Sequence, residues 1–310
     1  MKWVMSVSLG DPSRDYCVEA KIAGERVVLE RRGTGGSVRL ACDLIRRHDG
    51  LVSAFGLGGA NFHYIAGAAE FRMPEGWTIR AAAKKSPVAD GSRVKRFIEP
   101  LIIDLLAENG VQFRRRKAAI SSALDRWHLA EALETAGCEV AVLDAALALR
   151  LPVVFPGTRT FGIAARVTMP ALSRLPVGWL YPRRIDYTPG ASAGGLTERL
   201  AARLAEGAMS AADVIAGDSY LMWKHMPGRL DGKTVIVSTA TPGEVGELKA
   251  RGAAVVASTS PSLSGRSLGA NVIEAMILAF DGRPPEEIPP ACYREWWNRL
   301  GLRFRIEGHQ

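Results

Sequence analysis

The sequence lacks the features that mark secreted, membrane-spanning and metal-binding proteins. Its four cysteines lie far apart, and no two have the spacing of a metal-ligand or redox pair: they are Cys17, Cys42, Cys138 and Cys292. No apolar run is long enough to span a bilayer. Residues 1–6 turn polar too soon for the apolar segment of a signal peptide. We therefore expect a cytoplasmic protein that binds neither a metal nor a membrane.

A composition biased towards one class of residue is also absent. The 310 residues are 47% hydrophobic and 23% charged, which is close to the usual globular mix and argues against disorder. The net charge of +8 is spread along the chain, without zinc-finger spacing or a basic stripe with interleaved aromatics. We therefore expect a small anionic ligand rather than nucleic acid. A homo-oligomer is compatible with this composition, but no motif indicates one.

Hydrophobic periodicity predicts an α/β protein of two lobes, 1–113 and 114–310. The first lobe should contain a hairpin turning at Ala23 and Gly24. Its other predicted elements are strands at 3–9, 51–55 and 79–84, and helices at 38–48 and 94–109.

In the second lobe, a strand, a capped helix and a further strand follow one another twice, which predicts a Rossmann-like open parallel sheet. The helix caps are Asp125 in the first unit and Thr241 in the second. Residues 152–195 are rich in proline, glycine and arginine, and they predict an irregular insertion. That insertion suits a hinge or lid and a plain surface excursion equally well.

The turn after the first strand of the second lobe is a candidate cofactor site. A dinucleotide fold has glycines in this turn, which let the backbone approach a pyrophosphate, and this turn has none. Ser121 and Ser122 can still bind phosphate at a helix N-terminus. Asp144 ends the next strand, where a carboxylate can bond a ribose diol. The competing interpretation is that these residues only cap the helix and turn the chain.

Further residues suited to ligand binding follow other predicted strands. They are Gly58, Gly59, Asn61, Asp218, Thr239, Thr241, Arg266 and Ser267. Carboxyl ends of parallel strands share one crevice, so we expect Thr239 and Thr241 to contact a cofactor and the other six a substrate. Arg266 offers paired donors that suit a carboxylate or phosphate. Tight turns and helix caps remain the alternative for this set.

Residues 84–92 place a lysine and an aspartate around a short predicted strand. Lys85 could protonate an alkoxide while Asp90 holds the lysine in place, so we expect them to form a catalytic pair. A solvated lysine pair followed by an aspartate turn is the competing interpretation, because charge runs are mostly solvated.

Five segments carry a family resemblance. They are VSLG at 7–10, AFGLGG at 54–59, KSPVADGS at 85–92, GD at 217–218 and GRSLGANVIEA at 265–275. Together they resemble a bacterial family labelled quinate 5-dehydrogenase or shikimate dehydrogenase-like, over nearly the whole chain. The resemblance implies an oxidoreductase that uses NAD or NADP on a polyhydroxylated carboxylate such as quinate or shikimate. The missing glycine fingerprint keeps a second hypothesis open, a non-redox binding or regulatory protein for a phosphorylated or nucleotide ligand.

Overall fold

Two large β-sheets and two small two-stranded sheets contain the strands of the computed structural model, which describes residues 1–175, 195–263 and 266–308. The strands are β1 (Lys2–Ser8), β2 (Tyr16–Ile22), β3 (Glu25–Gly33), β4 (Ala54–Gly58), β5 (His63–Ala66), β6 (Ala69–Arg72), β7 (Val88–Ala89), β8 (Lys117–Ile120), β9 (Glu139–Val142), β10 (Phe155–Pro156), β11 (Val214–Gly217), β12 (Thr234–Val237), β13 (Val255–Ser258), β14 (Ser262–Leu263), β15 (Arg266–Ser267) and β16 (Arg305–Gly308). The helices are α1 (Val38–His48), α2 (Pro74–Arg80), α3 (Ser92–Phe97), α4 (Leu101–Glu108), α5 (Trp127–Thr135), α6 (Asp144–Leu147), α7 (Gly157–Leu172), α8 (Leu196–Ala211), α9 (Ser219–Met222), α10 (Pro242–Ala250), α11 (Ala270–Asp281) and α12 (Pro290–Arg299).

The first sheet has five strands in the order β2-β3-β1-β4-β7. Strands β3, β1, β4 and β7 run parallel, and β2 pairs antiparallel with β3. The predicted hairpin is confirmed, since Ala23 and Gly24 have φ values of 48° and 84°. Two successive positive φ values fit the twist of the flanking strands. The predicted helix at 38–48 is confirmed as α1.

The second sheet has seven strands in the order β10-β9-β8-β11-β12-β13-β16. Its five central strands are parallel, and the two edge strands are antiparallel. Every residue of β11 and β12 is buried, as expected for parallel strands covered on both faces. The predicted α/β class with a Rossmann-like sheet is therefore confirmed. The strand order reverses between β8 and β11, which makes their carboxyl ends the switch point of this sheet.

Neither lobe is one continuous stretch of chain, whereas the sequence predicted a single boundary between residues 113 and 114. Helix α11 packs against β1, β4 and β7 of the first sheet, and α12 packs on α3. A Cβ added at Gly56 of β4 would lie 2.8 Å from the Asn271 carbonyl oxygen, so α11 approaches the sheet too closely for a side chain there. The chain then returns to the second sheet through β16.

Three local predictions were wrong. Residues 79–84 do not form a strand, because helix α2 begins at Pro74 and runs to Arg80. The long helix predicted at 94–109 is divided into α3 and α4, and Pro100, which has no N–H to donate, lies between them.

The third wrong prediction is the irregular insertion at 152–195, because residues 157–172 form helix α7. Its buried face includes Phe161, Ala165 and Met169 at helical spacing. Residues 176–194 of that insertion lie outside the described residues. Among the helices of the described ranges, none is long and apolar enough to cross a bilayer.

The packing of α11 on the first sheet makes a stability prediction. Ile273 lies on α11 and is 1% exposed, whereas Ile163 on α7 is 59% exposed. Ile273→Ala should lower the free energy of unfolding by about 2–5 kcal/mol, since it removes buried methyl groups and leaves a cavity. The matched control Ile163→Ala should change it by about 0.5 kcal/mol or less. Urea unfolding of both variants checks this, and equal costs would contradict the assigned packing.

Candidate functional site

The carboxyl edges of the two sheets face each other. Three contacts join them, in the same order along both edges. Lys95 and Asn61, which follow β7 and β4, hydrogen-bond Asp125 after β8. Arg14, after β1, lies over the ring of Tyr220, after β11. Arg266, beyond β13, lies over Tyr16 at the start of β2. The line along which the two carboxyl edges meet is called the cleft below, and it is on this side that open parallel sheets place their ligands.

The strongest of these contacts is an ion pair between Lys95 and Asp125. The Lys95 Nζ lies 2.7 Å from the Asp125 Oδ1, and the two side chains are 13% and 11% exposed. The Asn61 Nδ2 donates to the same carboxylate oxygen at 2.7 Å, and the Asn61 Oδ1 accepts from Lys95 at 3.2 Å. Asn61 therefore fixes both partners of the pair.

The predicted role of Asp125 as a helix cap was wrong. Helix α5 begins after Arg126, which has no side-chain capping bond, and the Asp125 carboxylate instead crosses the cleft. Burial raises the pKa of Asp125, but Lys95 and Arg126 outweigh burial and hold that pKa below its ordinary value. The carboxyl group is therefore ionised at neutral pH.

A second ion pair lies beneath the first and is almost fully buried. The Arg126 guanidinium donates to both carboxylate oxygens of Glu99. Glu99 lies between α3 and α4, so this pair attaches the start of α5 to the first lobe. It holds Asp125, the neighbour of Arg126 in the chain, against Lys95.

Tyr64 completes this cluster from strand β5. Burial and the charge of Asp125 raise the pKa of Tyr64, and Asn61 bonds its side chain. The hydroxyl consequently stays protonated at neutral pH and can act as a hydrogen-bond donor.

The switch point contains the predicted cofactor residues. The Ser121 hydroxyl donates to the Asp218 carbonyl oxygen at 3.2 Å. Gly217 has a φ of 123°, and a Cβ there would lie 2.5 Å from the Ser121 Oγ, so the two loops meet only because this residue is glycine. The Ser122 hydroxyl is buried and has no hydrogen-bond partner.

Asp144 lies at the same turn, as its predicted role requires. Its carboxylate accepts hydrogen bonds from the amides of Ala123 and Leu124 at 2.8 and 2.9 Å. Burial raises the pKa of Asp144 to about 6, although these amides lower it. Each oxygen keeps a lone pair, because a carboxylate has about four acceptor sites.

These residues fit the nucleotide that the resemblance implies. The unpartnered Ser122 hydroxyl can bond a phosphate, and Asp144 can accept from a ribose diol. Among the described residues, there is no group of three His, Cys, Asp or Glu side chains that could hold a metal ion.

The remaining predicted residues have varied surroundings. Thr241 caps α10 through a reciprocal bond with Glu244, as predicted, and is exposed. The Thr239 carbonyl oxygen accepts from the Ser219 hydroxyl, and Asp218 caps α9. The Ser267 hydroxyl donates to the Ala240 carbonyl oxygen at 2.6 Å. Gly58 and Gly59 lie at the cleft edge, at the end of β4.

Lys85 and Asp90 are not brought together. They precede and follow β7, so they lie at opposite ends of that strand. The backbone N–H of Lys85 donates to the Asp49 carboxylate, and Lys85 itself is exposed. Asp90 is buried, and its carboxylate accepts from the amides of Phe62 and Ser92 at 2.6 and 3.0 Å.

The sequence interpretation missed Lys95, Asp125, Glu99, Arg126 and Tyr64 as a group. The position of these residues after strands was a usable signal in the sequence. Lys95 lies in helix α3, which follows β7, and Asp125 lies in the turn that follows β8. The wrong strand at 79–84 and the assignment of Asp125 to a helix cap concealed it.

Family comparison covers almost all of this chain. Residues 93–308 match the model of a domain of unknown function (DUF8754), and residues 3–90 match that of another (DUF8753). The chain belongs to the DUF8754 family. No curated protein matches it in sequence.

Several solved structures resemble this DUF8754 protein at low identity. An NAD-dependent malic enzyme from Thermotoga maritima has 11% identity and a TM-score of 0.35, over 96% of this chain and 84% of that one. A shikimate 5-dehydrogenase-like protein has 9% identity and a TM-score of 0.35, over 97% of this chain and 98% of that one. The bifunctional FolD methylenetetrahydrofolate dehydrogenase/cyclohydrolase from Campylobacter jejuni has 11% identity and a TM-score of 0.32, over 96% of this chain and 88% of that one.

A buried carboxyl group behind the cleft makes a pH prediction. The Glu274 Oε2 accepts from the Arg93 amide at 3.0 Å. Burial, and then the neighbouring Asp90, raise the pKa of Glu274 to about 8. The folded state holds this proton up to about pH 8, whereas an unfolded glutamate loses it near pH 4.3. Glu274 therefore makes the free energy of unfolding fall as the pH rises between these values.

Glu274→Gln removes that titration. Relative to wild type, its free energy of unfolding should rise steadily between about pH 5 and pH 8. Urea unfolding across this range measures the difference, and Glu108→Gln, exposed at the end of α4, is the control. A difference that stays constant with pH would show that Glu274 is ionised in the folded protein.

Proposed function

We propose that the protein is an NAD(P)-dependent oxidoreductase that acts on a polyhydroxylated carboxylate such as quinate or shikimate. The observation that carries the proposal is the Lys95–Asp125 pair, which joins the lobes beside the switch point. Oxidation of an alcohol requires a group that takes the hydroxyl proton, and a lysine held by a carboxylate suits this task.

The roles of the pair follow from its contacts. When a substrate hydroxyl is oxidised, the Lys95 ammonium first releases a proton to water, and the Lys95 Nζ then takes the proton of the hydroxyl. The resulting ammonium is stabilised by the Asp125 carboxylate and the Asn61 Oδ1. In the reverse direction, the Lys95 ammonium returns the proton to the carbonyl oxygen. A nicotinamide cofactor held by Ser122 and Asp144 would supply the hydride acceptor for this oxidation.

The other side chains of the cluster orient the substrate and exclude water. Tyr64 offers a protonated hydroxyl close to Asp125, which suits a second substrate oxygen. Glu99 and Arg126 leave no uncompensated charge beneath the site. A dry surrounding strengthens the interaction of Lys95 with charge that develops on the substrate oxygen.

The residues that would hold the cofactor are Ser122 and Asp144. Ser122 has a hydroxyl to offer, whereas the Ser121 hydroxyl already bonds the Asp218 carbonyl oxygen. An ionised Asp144 attracts a ribose diol and repels a second phosphate on that ribose, which favours NAD over NADP.

One observation favours the non-redox alternative. The turn amides of Ala123 and Leu124 are occupied by Asp144, so they are not available to a pyrophosphate. A protein that binds a small phosphorylated ligand elsewhere in the cleft is the second candidate.

The acid–base assignment is tested by substitution of the pair. Lys95→Met and Asp125→Asn should each lower kcat by about 10²- to 10⁴-fold, the usual contribution of a positioned proton-transfer group. Absorbance of NADH or NADPH formed with quinate or shikimate measures turnover. The matched control is Lys85→Met, at the far end of β7, which should keep wild-type turnover.

The thermal melting point of each variant separates loss of chemistry from loss of folding. Full turnover by folded Lys95→Met would refute the assignment. Binding of the acids without any change in absorbance in wild type would favour the non-redox candidate.

A further inference from the structure

A cluster of three arginines lies at the opposite end of the cleft from Lys95. We infer that Arg14, Arg31 and Arg266 form a binding site for the oxyanion group of the ligand, a carboxylate or a phosphate. The inference rests on the proposed function only in taking this cleft as the ligand site.

Arg31 is the fixed member of the cluster. Its Nη1 donates to the Asp15 Oδ1 at 2.8 Å and to the Asp11 carbonyl oxygen at 3.1 Å. Its Nη2 donates to the Ser8 hydroxyl at 3.1 Å, where β1 ends at the cleft. A guanidinium held by three partners is already oriented before any ligand arrives, so little conformational entropy is lost on binding.

The other two arginines are exposed, and each lies over a tyrosine ring on the other side of the cleft. The Arg14 Cζ lies 4.9 Å from the ring centre of Tyr220, which belongs to the second lobe. The Arg266 Cζ lies 5.4 Å from the ring centre of Tyr16, which belongs to the first. A guanidinium held over a ring still has N–H groups at its edge, and these can bond an oxyanion through two parallel bonds.

The three charges act on one small region. Burial and the charge of Arg14 lower the pKa of Arg31, against the opposing effect of Asp15. Burial raises the pKa of the Tyr16 hydroxyl, and the charges of Arg31 and Arg266 both lower that pKa. Arg31 also forms an ion pair with Asp15.

Three guanidiniums lie at this end of the cleft, together with the carboxylates of Asp11 and Asp15, which flank Arg14 in the chain. Three neighbouring guanidiniums repel one another, and an anion placed among them relieves that repulsion. The ligand would be held by arginines from both lobes, so binding would draw the lobes together. Its oxyanion group would face the arginines and its hydroxyl groups Lys95.

Isothermal titration calorimetry with two anions and one neutral probe tests the inference. The probes are sodium phosphate, shikimate and shikimate methyl ester, which lacks the negative charge. Wild type should bind an anion and not the ester. Arg14→Ala and Arg266→Ala should each raise the dissociation constant about ten- to hundred-fold, the usual loss for a charged hydrogen bond.

The matched control is Arg39→Ala, which removes an exposed arginine from α1 of the first lobe and should bind like wild type. Binding of phosphate alone would identify a phosphorylated ligand, and binding of shikimate a carboxylate; either supports the site. The inference is overturned if the wild type binds neither anion, or if Arg14→Ala and Arg266→Ala bind the anion as tightly as the wild type does. Because calorimetry detects binding without turnover, arginine-dependent binding stands even if no redox activity is found.

Discussion

The ion pair between Lys95 and Asp125 is the contact on which the site depends. Two charges that are largely removed from water are tolerated only when each has a partner, because desolvation of an unpaired ion costs several kcal/mol. Lys95 comes from the first lobe and Asp125 from the second, so this requirement fixes how the two carboxyl edges meet. The buried Glu99–Arg126 pair beneath them adds a second constraint of the same kind.

The path of the chain supports that arrangement. It leaves the first lobe after α4, returns to it with α11, and crosses again to add β16 to the edge of the second sheet. The first lobe is therefore completed by a helix encoded after most of the second. The cleft lies between two sheets that share several connections, and its residues come from loops that follow strands on both sides.

Local features of this fold could be predicted from sequence because their causes are local. The turn at Ala23 and Gly24, helix α1 and the capping box at Thr241 each follow from a few neighbouring residues. The burial of α11 is also evident from its composition, which is apolar from Val272 to Ala279 apart from Glu274. The sheet that buries it is not, because the contact of Asn271 with Gly56 joins residues far apart in the chain.

The candidate site was harder to predict for the same reason. Asn61 was identified from its position after a strand, whereas the role of Asp125 depends on Lys95, thirty positions away in sequence. Lys85 and Asp90 are close in sequence but are separated by β7. Proximity along the chain therefore suggested Lys85 as the proton-transfer lysine. The proposal of Lys95 for this role depends on how the strands and the lobes are placed in the folded structure.

Amide hydrogen exchange tests whether a ligand binds where the two lobes meet, because it locates a bound ligand without assuming any activity. Wild-type protein is compared with and without quinate and NAD. We expect slower exchange in the segments that border the cleft, which are 58–64, 92–96, 121–126 and 217–220. Protection confined to the exposed surface around Lys84 and Arg283, or no protection in any segment, would contradict it.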